Sequence, residues 1–230
     1  MRTDSLDIAG DSQGYHLLAV NLLNGLGYCP HPVAGHEYDE FTTSLVNLAP
    51  EPARFEPLRV PGYPLALAGI YQLFGVSSLT ILRYQQLLAG FSAMALGVGA
   101  WRLAGWRGLV AAAASVFLLS TNAEGSYSIS MLLSECQTES LMALSFALSA
   151  MSDRVPGTHT LCGLAIASAV LTRPGCLCIA AVYFAFLIHH RVPGRWRQIV
   201  SFGLVVGLWS AIATYQSGRP VVLTSNTGTV

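Results

Sequence analysis

From Leu79 to Tyr215 the chain is a succession of apolar runs whose ends collect the charges, and this pattern limits the fold more than any motif does. Six runs are legible: Leu79 to Trp101, Gly108 to Thr121, Met131 to Met151, Thr158 to Thr172, Gly175 to His190, and Ile199 to Tyr215. A bilayer core of about 30 Å takes roughly 20 apolar residues per helix, so such runs read as membrane-crossing helices. The second, fourth and fifth are shorter than a full span and must recruit flanking residues, pair as short helices, or thin the bilayer. Composition agrees, with 53% hydrophobic and 10% charged residues. An ordinary soluble domain carries about 25% charge, so polar surface is too scarce here to coat a soluble globule, and apolar residues are too abundant for disorder. The expected fold class is all-α, a polytopic transmembrane bundle. Residues 1–78 form an extracytoplasmic first loop with juxtamembrane helices, 79–216 hold the six membrane helices, and 217–230 begin a further extracytoplasmic segment.

Charge gives the bundle an orientation. All 12 positive charges are arginine, and they balance 12 acids to zero net charge, which argues against nucleic acid as a partner. Arg102 and Arg107 lie in the first connection, Arg154 in the third, and Arg191, Arg195 and Arg197 in the fifth; the second has none and the fourth only Arg173. Cytoplasmic loops hold the excess of basic residues, so odd connections face inward, and the N-terminal region and residues 218–230 face outward. An outer N-terminal region needs delivery by a preceding helix, and Met1 to Gly10 is polar; the expectation is a fragment lacking a first membrane helix and a C-terminal continuation. Trp101, Trp106, Trp196, Tyr63, Tyr127 and Tyr215 stand near expected helix ends and read as interface anchors. His189 and His190 join the basic inner edge, which faces anionic lipid.

The outer region is organised. Tyr15, Leu18, Ala19, Leu22, Leu23 and Leu26 form a helical stripe too short to span, with Asp11 and Ser12 at the N-cap and Gly25 and Gly27 at the stop. A Pro-, His- and Glu-rich loop follows from Cys29 to Leu58. Arg59-Val-Pro-Gly-Tyr-Pro64 then leads into a short apolar helix, Leu65 to Phe74, closed by Gly75. Counting that helix as a span would reverse every later loop. The platform gathers Asp7, Asp11, His16, His31, His36, Glu37, Asp39, Glu40 and Arg59. Glu135 and Glu139 lie near the outer end of the Met131 run, four apart and so on one helix face. A carboxylate in a membrane segment is expensive unless it faces water, protein or a partner, which makes it a functional candidate.

Cys29, Cys136, Cys162, Cys176 and Cys178 fit neither a disulfide framework nor a zinc site and read as small packing residues, with Cys29 expected to be open to labelling from outside. His31 and His36 have no third ligand at metal spacing.

In order and pattern these segments resemble the membrane glycosyltransferases of the C-type fold, a group including protein O-mannosyltransferases and lipid A aminoarabinose transferases. The matching residues are Gly10-Asp11-Ser12-Gln13-Gly14-Tyr15 with Ala19, Leu22, Leu23 and Gly25 to Tyr28; Arg59 to Pro64 with Leu73-Phe74-Gly75; Leu133-Ser134-Glu135; and Leu171 to Pro174. The resemblance implies transfer of a sugar from a polyprenyl-phosphate carrier to a lipid, glycan or protein acceptor at the outer face of the plasma (inner) membrane. It implies Asp11 as catalytic base for the acceptor hydroxyl, with Glu135 orienting the acceptor or sharing that role. Arg59 or Arg173 would neutralise the phosphate, and Tyr15, Tyr63 and Glu139 would line the substrate site. No cofactor is implied; acids beside a sugar phosphate suit a divalent metal, but no ligand set is readable.

Each residue also has a plain structural role. Asp11 is a natural helix cap, Glu135 an acid favourable to a helix start, and Arg59 and Arg173 headgroup anchors. The rival functions are a transporter or flippase subunit and a non-catalytic membrane remnant. Against the transporter, neither an inverted repeat nor a pair of broken helices is visible, and the acids gather at one face.

Overall fold

The computed structural model of the protein describes residues 11–46, 48–121, 134–152 and 155–224. Among them all regular structure is helical apart from an isolated bridge between Val33 and Glu51. The helices are α1 (Asp11–Leu23), α2 (Glu40–Leu45), α3 (Gly62–Phe74), α4 (Ser78–Thr121), α5 (Glu135–Met151), α6 (Thr158–Thr172), α7 (Cys176–His189) and α8 (Arg195–Ser217). Among the described residues two stretches, Ser78–Phe117 (40 residues) and Arg195–Ser217 (23 residues), are long and apolar enough to cross a membrane; Thr158–Thr172 and Cys176–His189 are apolar but shorter. The expected anchor Tyr127 and the basic Arg154 lie outside the described residues, as do Asp7 and the side chain of Asp11.

Glycine and proline set most boundaries. After α1 the chain takes left-handed turns at Gly25 (φ 72°) and Gly27 (φ 88°), conformations open to glycine with little strain. Pro61 and Pro64 flank the first turn of α3, where a missing N–H costs no hydrogen bond. Within α4, Gly105 (φ 59°, ψ −141°) breaks the helix. Around that break Gly108 abuts the Ala100 carbonyl, and a Cβ on Gly97 would lie 3.6 Å from Leu109 Cδ1, so the two arms turn back on each other. The two apolar runs expected on either side of Arg102 and Arg107 are these arms.

The helices pack through small residues, the solution available where backbones must approach closely. The first arm of α4 runs parallel to α5, with Ser92 and Ser140 hydroxyls 2.8 Å apart and Gly99 against Phe146 and Ala147. α6 runs antiparallel to α5, Cys162 reaching the Ser145 carbonyl. α6 is parallel to α8, with Gly163 set against Ser201 and the Gln198 carbonyl. The core of this region is Cys162, Ile166, Val170, Cys176 and Ala180. These directions place Arg102, Arg107, Arg191, Arg195 and Arg197 at one end of the bundle. The described carboxylates, Glu135 and Glu139 included, lie toward the other end.

The N-terminal platform caps the acid-bearing end. Its core is Ala19, Val20, Tyr63, Leu67, Tyr71 and Ile81, which joins α1 and α3 to the start of α4. Three features differ from the sequence expectation. The Cys29–Leu58 loop contains α2, started by Asp39, whose carboxylate accepts from the Thr42 N–H at 2.6 Å. The signal was Asp39 three residues before Thr42, an ordinary cap spacing. Cys29 is 1% exposed, and its Sγ meets the Arg54 carbonyl at 2.9 Å, so it is a packed thiol closed to labelling. Tyr63 is fully buried in the platform core, which removes it from the interface anchors; Trp101, Trp106, Trp196 and Tyr215 are exposed.

His16 also changes character. The ring is fully buried, with Nδ1 3.0 Å from the Tyr71 hydroxyl and Nε2 3.1 Å from Thr42 Oγ1. Burial lowers its pKa from 6.5 to about 4, against a smaller opposing pull from Asp39. The folded platform therefore holds a neutral imidazole, whereas the unfolded chain takes a proton near pH 6.5. The stability this provides is fully present above pH 6.5 and is lost as pH falls toward 4, by about 3 kcal/mol. Thermal unfolding should show this acid-side loss in the wild type and a flatter profile in His16→Asn; equal slopes would exclude His16 as its source.

Candidate functional site at the platform–bundle junction

α1 opens at Asp11, and one turn later Gly14 and Tyr15 lie on the same helix face, at the i+3 and i+4 positions. Against that face lies Arg59: a Cβ on Gly14 would sit 2.8 Å from its Nε, so glycine leaves the room the guanidinium occupies. The guanidinium stacks over the Tyr15 ring at 4.7 Å, a cation–π contact, and Tyr15 meets Tyr63 edge-on at 5.2 Å. The Tyr28 hydroxyl donates to the Arg59 carbonyl at 3.0 Å and fixes the backbone behind it. Burial holds the Tyr63 phenol protonated, its pKa well above 10, and its oxygen accepts from Gln85 Nε2 at 3.0 Å.

A second group lies at the adjoining helix ends. Arg173, in the short link after α6, donates through Nη1 to Glu135 Oε1 at 2.5 Å. The other carboxylate oxygen, Oε2, is buried and has no hydrogen-bond partner among the described residues. Arg173 remains half-exposed (52%), so the pair opens to solvent on the arginine side. Glu139, one turn along α5, is exposed.

Gln137 joins the two groups. Its Nε2 donates to the Gly62 carbonyl and to Thr172 Oγ1, both at 3.2 Å, and its Oε1 accepts from the Tyr84 hydroxyl at 2.8 Å. One amide thus binds α3, α4 and α6 to α5, two residues from Glu135 and beside Tyr63. Gly62 is required there, since a Cβ would lie 2.7 Å from both the Leu171 carbonyl oxygen and Thr172 Oγ1. Gln137 was not singled out in the sequence, and Gly62 only as one member of the Arg59 to Pro64 turn. For Gln137 a signal existed, a polar side chain within an apolar run.

Of the residues expected from sequence, Tyr15, Arg59 and Tyr63 form one contact group and Glu135 and Arg173 another, linked through Gln137; Glu139 lies within electrostatic reach of Glu135 and Arg173. The combination supplies an uncompensated carboxylate oxygen and two guanidinium groups around a junction of two packed layers. Such a setting suits an anionic ligand and a proton acceptor. Among the described residues no group of three or more His, Cys, Asp or Glu is placed to hold a metal ion. Comparison with protein-family models, with curated proteins and with solved structures finds no match to the chain.

Proposed function

We propose that the protein is a multi-pass plasma (inner) membrane glycosyltransferase that moves a sugar from a polyprenyl-phosphate donor to a lipid, glycan or protein acceptor at the extracytoplasmic face. The observation that carries this reading is the docking of the platform, through Gly62, on Gln137 and Thr172 at the acid-bearing end of the helices. It brings the Asp11-bearing face of α1 to the same end as Glu135. The apolar exterior supports the membrane part of the reading: Leu87, Val182 and Leu204 are 73%, 72% and 68% exposed, surface that lipid would cover. The arginine-rich end opposite the platform supports the inward orientation of that end.

In the reaction Asp11 takes the proton of the acceptor hydroxyl as its oxygen attacks the anomeric carbon. The bond from that carbon to the carrier phosphate breaks, and its electron pair leaves with the phosphate. Arg59 and Arg173 balance the charge on the leaving phosphate. Glu135 orients the acceptor through the Arg173 guanidinium that it holds, since its other oxygen is buried. Replacing Glu135 by Gln should lower kcat by about a hundredfold with the fold intact, because the charge that fixes Arg173 is gone. The measurement is release of polyprenyl phosphate by the complete protein from a polyprenyl-phosphate sugar. Undiminished release in Glu135→Gln would remove that residue from the site; ion-coupled uptake without donor turnover would replace the enzyme by a transporter.

A further inference from the structure

Away from this site, α3 and the first arm of α4 enclose a pocket of about 290 Å³. Its lining is mixed: Ile70, Phe74, Leu79 and Leu87 are apolar, Ser77, Thr80 and Tyr84 bring hydroxyls, and Phe74, Leu79 and Leu87 are exposed. Arg83 lines it, and no acidic residue does. Arg83 makes no ion pair or hydrogen bond among the described residues, while the neighbouring Ser77 and Thr80 hydroxyls satisfy each other at 2.9 Å. Arg83 is exposed, and with no acid beside it and apolar surface below it, the ligand that complements this spot is an anion attached to an apolar body.

The apolar surface continues beyond the pocket. Leu87, Phe91, Met94, Val98 and Trp101 are all exposed and recur at helical spacing down the same arm. From Leu87 to Trp101 this stripe extends about 21 Å, more than the roughly 15 Å depth of one leaflet. A protein segment would leave that length of stripe unmatched by the single charge at its top, whereas a lipid has one charged head and a chain of that reach. We propose that the pocket is a binding site for an anionic glycerophospholipid of the outer leaflet, its phosphate on Arg83 and an acyl chain along the Leu87–Trp101 stripe. The site rests on the membrane part of the reading above and is independent of sugar transfer. Tyr84, beside Arg83, bonds Gln137, so the lipid would brace the helix that supports the junction.

The test is native mass spectrometry of the complete protein in mild detergent, titrated with phosphatidylglycerol or phosphatidylcholine of matched chains. The wild type should retain phosphatidylglycerol about tenfold better, the equivalent of one charge-assisted hydrogen bond. Arg83→Gln should remove one retained phosphatidylglycerol per protein and leave any held by the basic inner edge, Arg83→Lys should keep part of that binding, and Arg102→Gln, at the far end of the arm, should leave the Arg83-dependent lipid unchanged. Equal retention of both lipids by the wild type, an unaltered preference in Arg83→Gln, or displacement of the phospholipid by polyprenyl phosphate would each overturn the assignment. Failure of the protein to partition into phosphatidylcholine vesicles would instead defeat the membrane reading itself, and this site with it.

Discussion

Asp11→Asn should reduce sugar transfer by about 10³-fold, within the range for loss of a positioned proton acceptor, while leaving thermal stability unchanged. The substitution separates the catalytic role proposed for Asp11 from a plain helix-starting role. Asn caps a helix as well as Asp does, so a residue that only starts α1 would tolerate the exchange. A general base would not, because the amide cannot accept the hydroxyl proton in the pH range where the carboxylate works. The assay is donor consumption by the complete protein, read beside a melting curve. Full turnover would leave Asp11 as a cap alone, and a fallen melting point would mean that lost structure, not lost chemistry, explains any drop in rate.

The second large effect is structural. Gly62→Val should detach the platform from the bundle, because even the first carbon of the new side chain would lie 2.7 Å from the Leu171 carbonyl oxygen and from Thr172 Oγ1. The carbonyl belongs to a packed helix end and cannot rotate away as a flexible side chain could. The shift required would break the Gly62 hydrogen bond to Gln137. A loss of about 3 kcal/mol is expected, at the upper end of ordinary overpacking, together with rapid proteolysis between α2 and α3 and loss of transfer. Gly69→Ala on the same helix is the control. Nothing lies within 4 Å of its Cβ position, so the exchange should stabilise α3 by up to about 1 kcal/mol. Equal protease sensitivity in the two variants would show that the Gly62 contact does not hold the platform.

Sequence and structure divide along the range of the interactions involved. The run expected over Thr158 to Thr172 has the bounds of α6, and that expected over Gly175 to His190 differs from α7 by one residue at each end. Both are marked by local signals: the apolar run itself, Gly157 at the start of one and the Pro174–Gly175 turn before the other. The six-residue α2 escaped because a helix that short has too little periodicity to register against a background of Pro, His and Glu. Cys29 appeared accessible because it stands in a polar loop; its burial comes from Arg54, 25 residues away. Tyr63 was read as an interface residue from its place near a helix end, yet Tyr15 and Gln85 enclose it from two other helices.

Local order along the chain was enough to determine that it is helical, where most of its turns lie, and that Glu135 and Glu139 stand at the opposite end of the helices from Arg102, Arg107, Arg191, Arg195 and Arg197. Side-chain period, glycine conformation and proline geometry act within a few residues, and a single sequence displays them in full. Only the tertiary structure decided that Gln137 is the joint of the site, since its partner Gly62 is 75 residues away and Thr172 is 35. A buried amide must find partners wherever packing brings them, and nothing in its immediate neighbours records which carbonyl that will be.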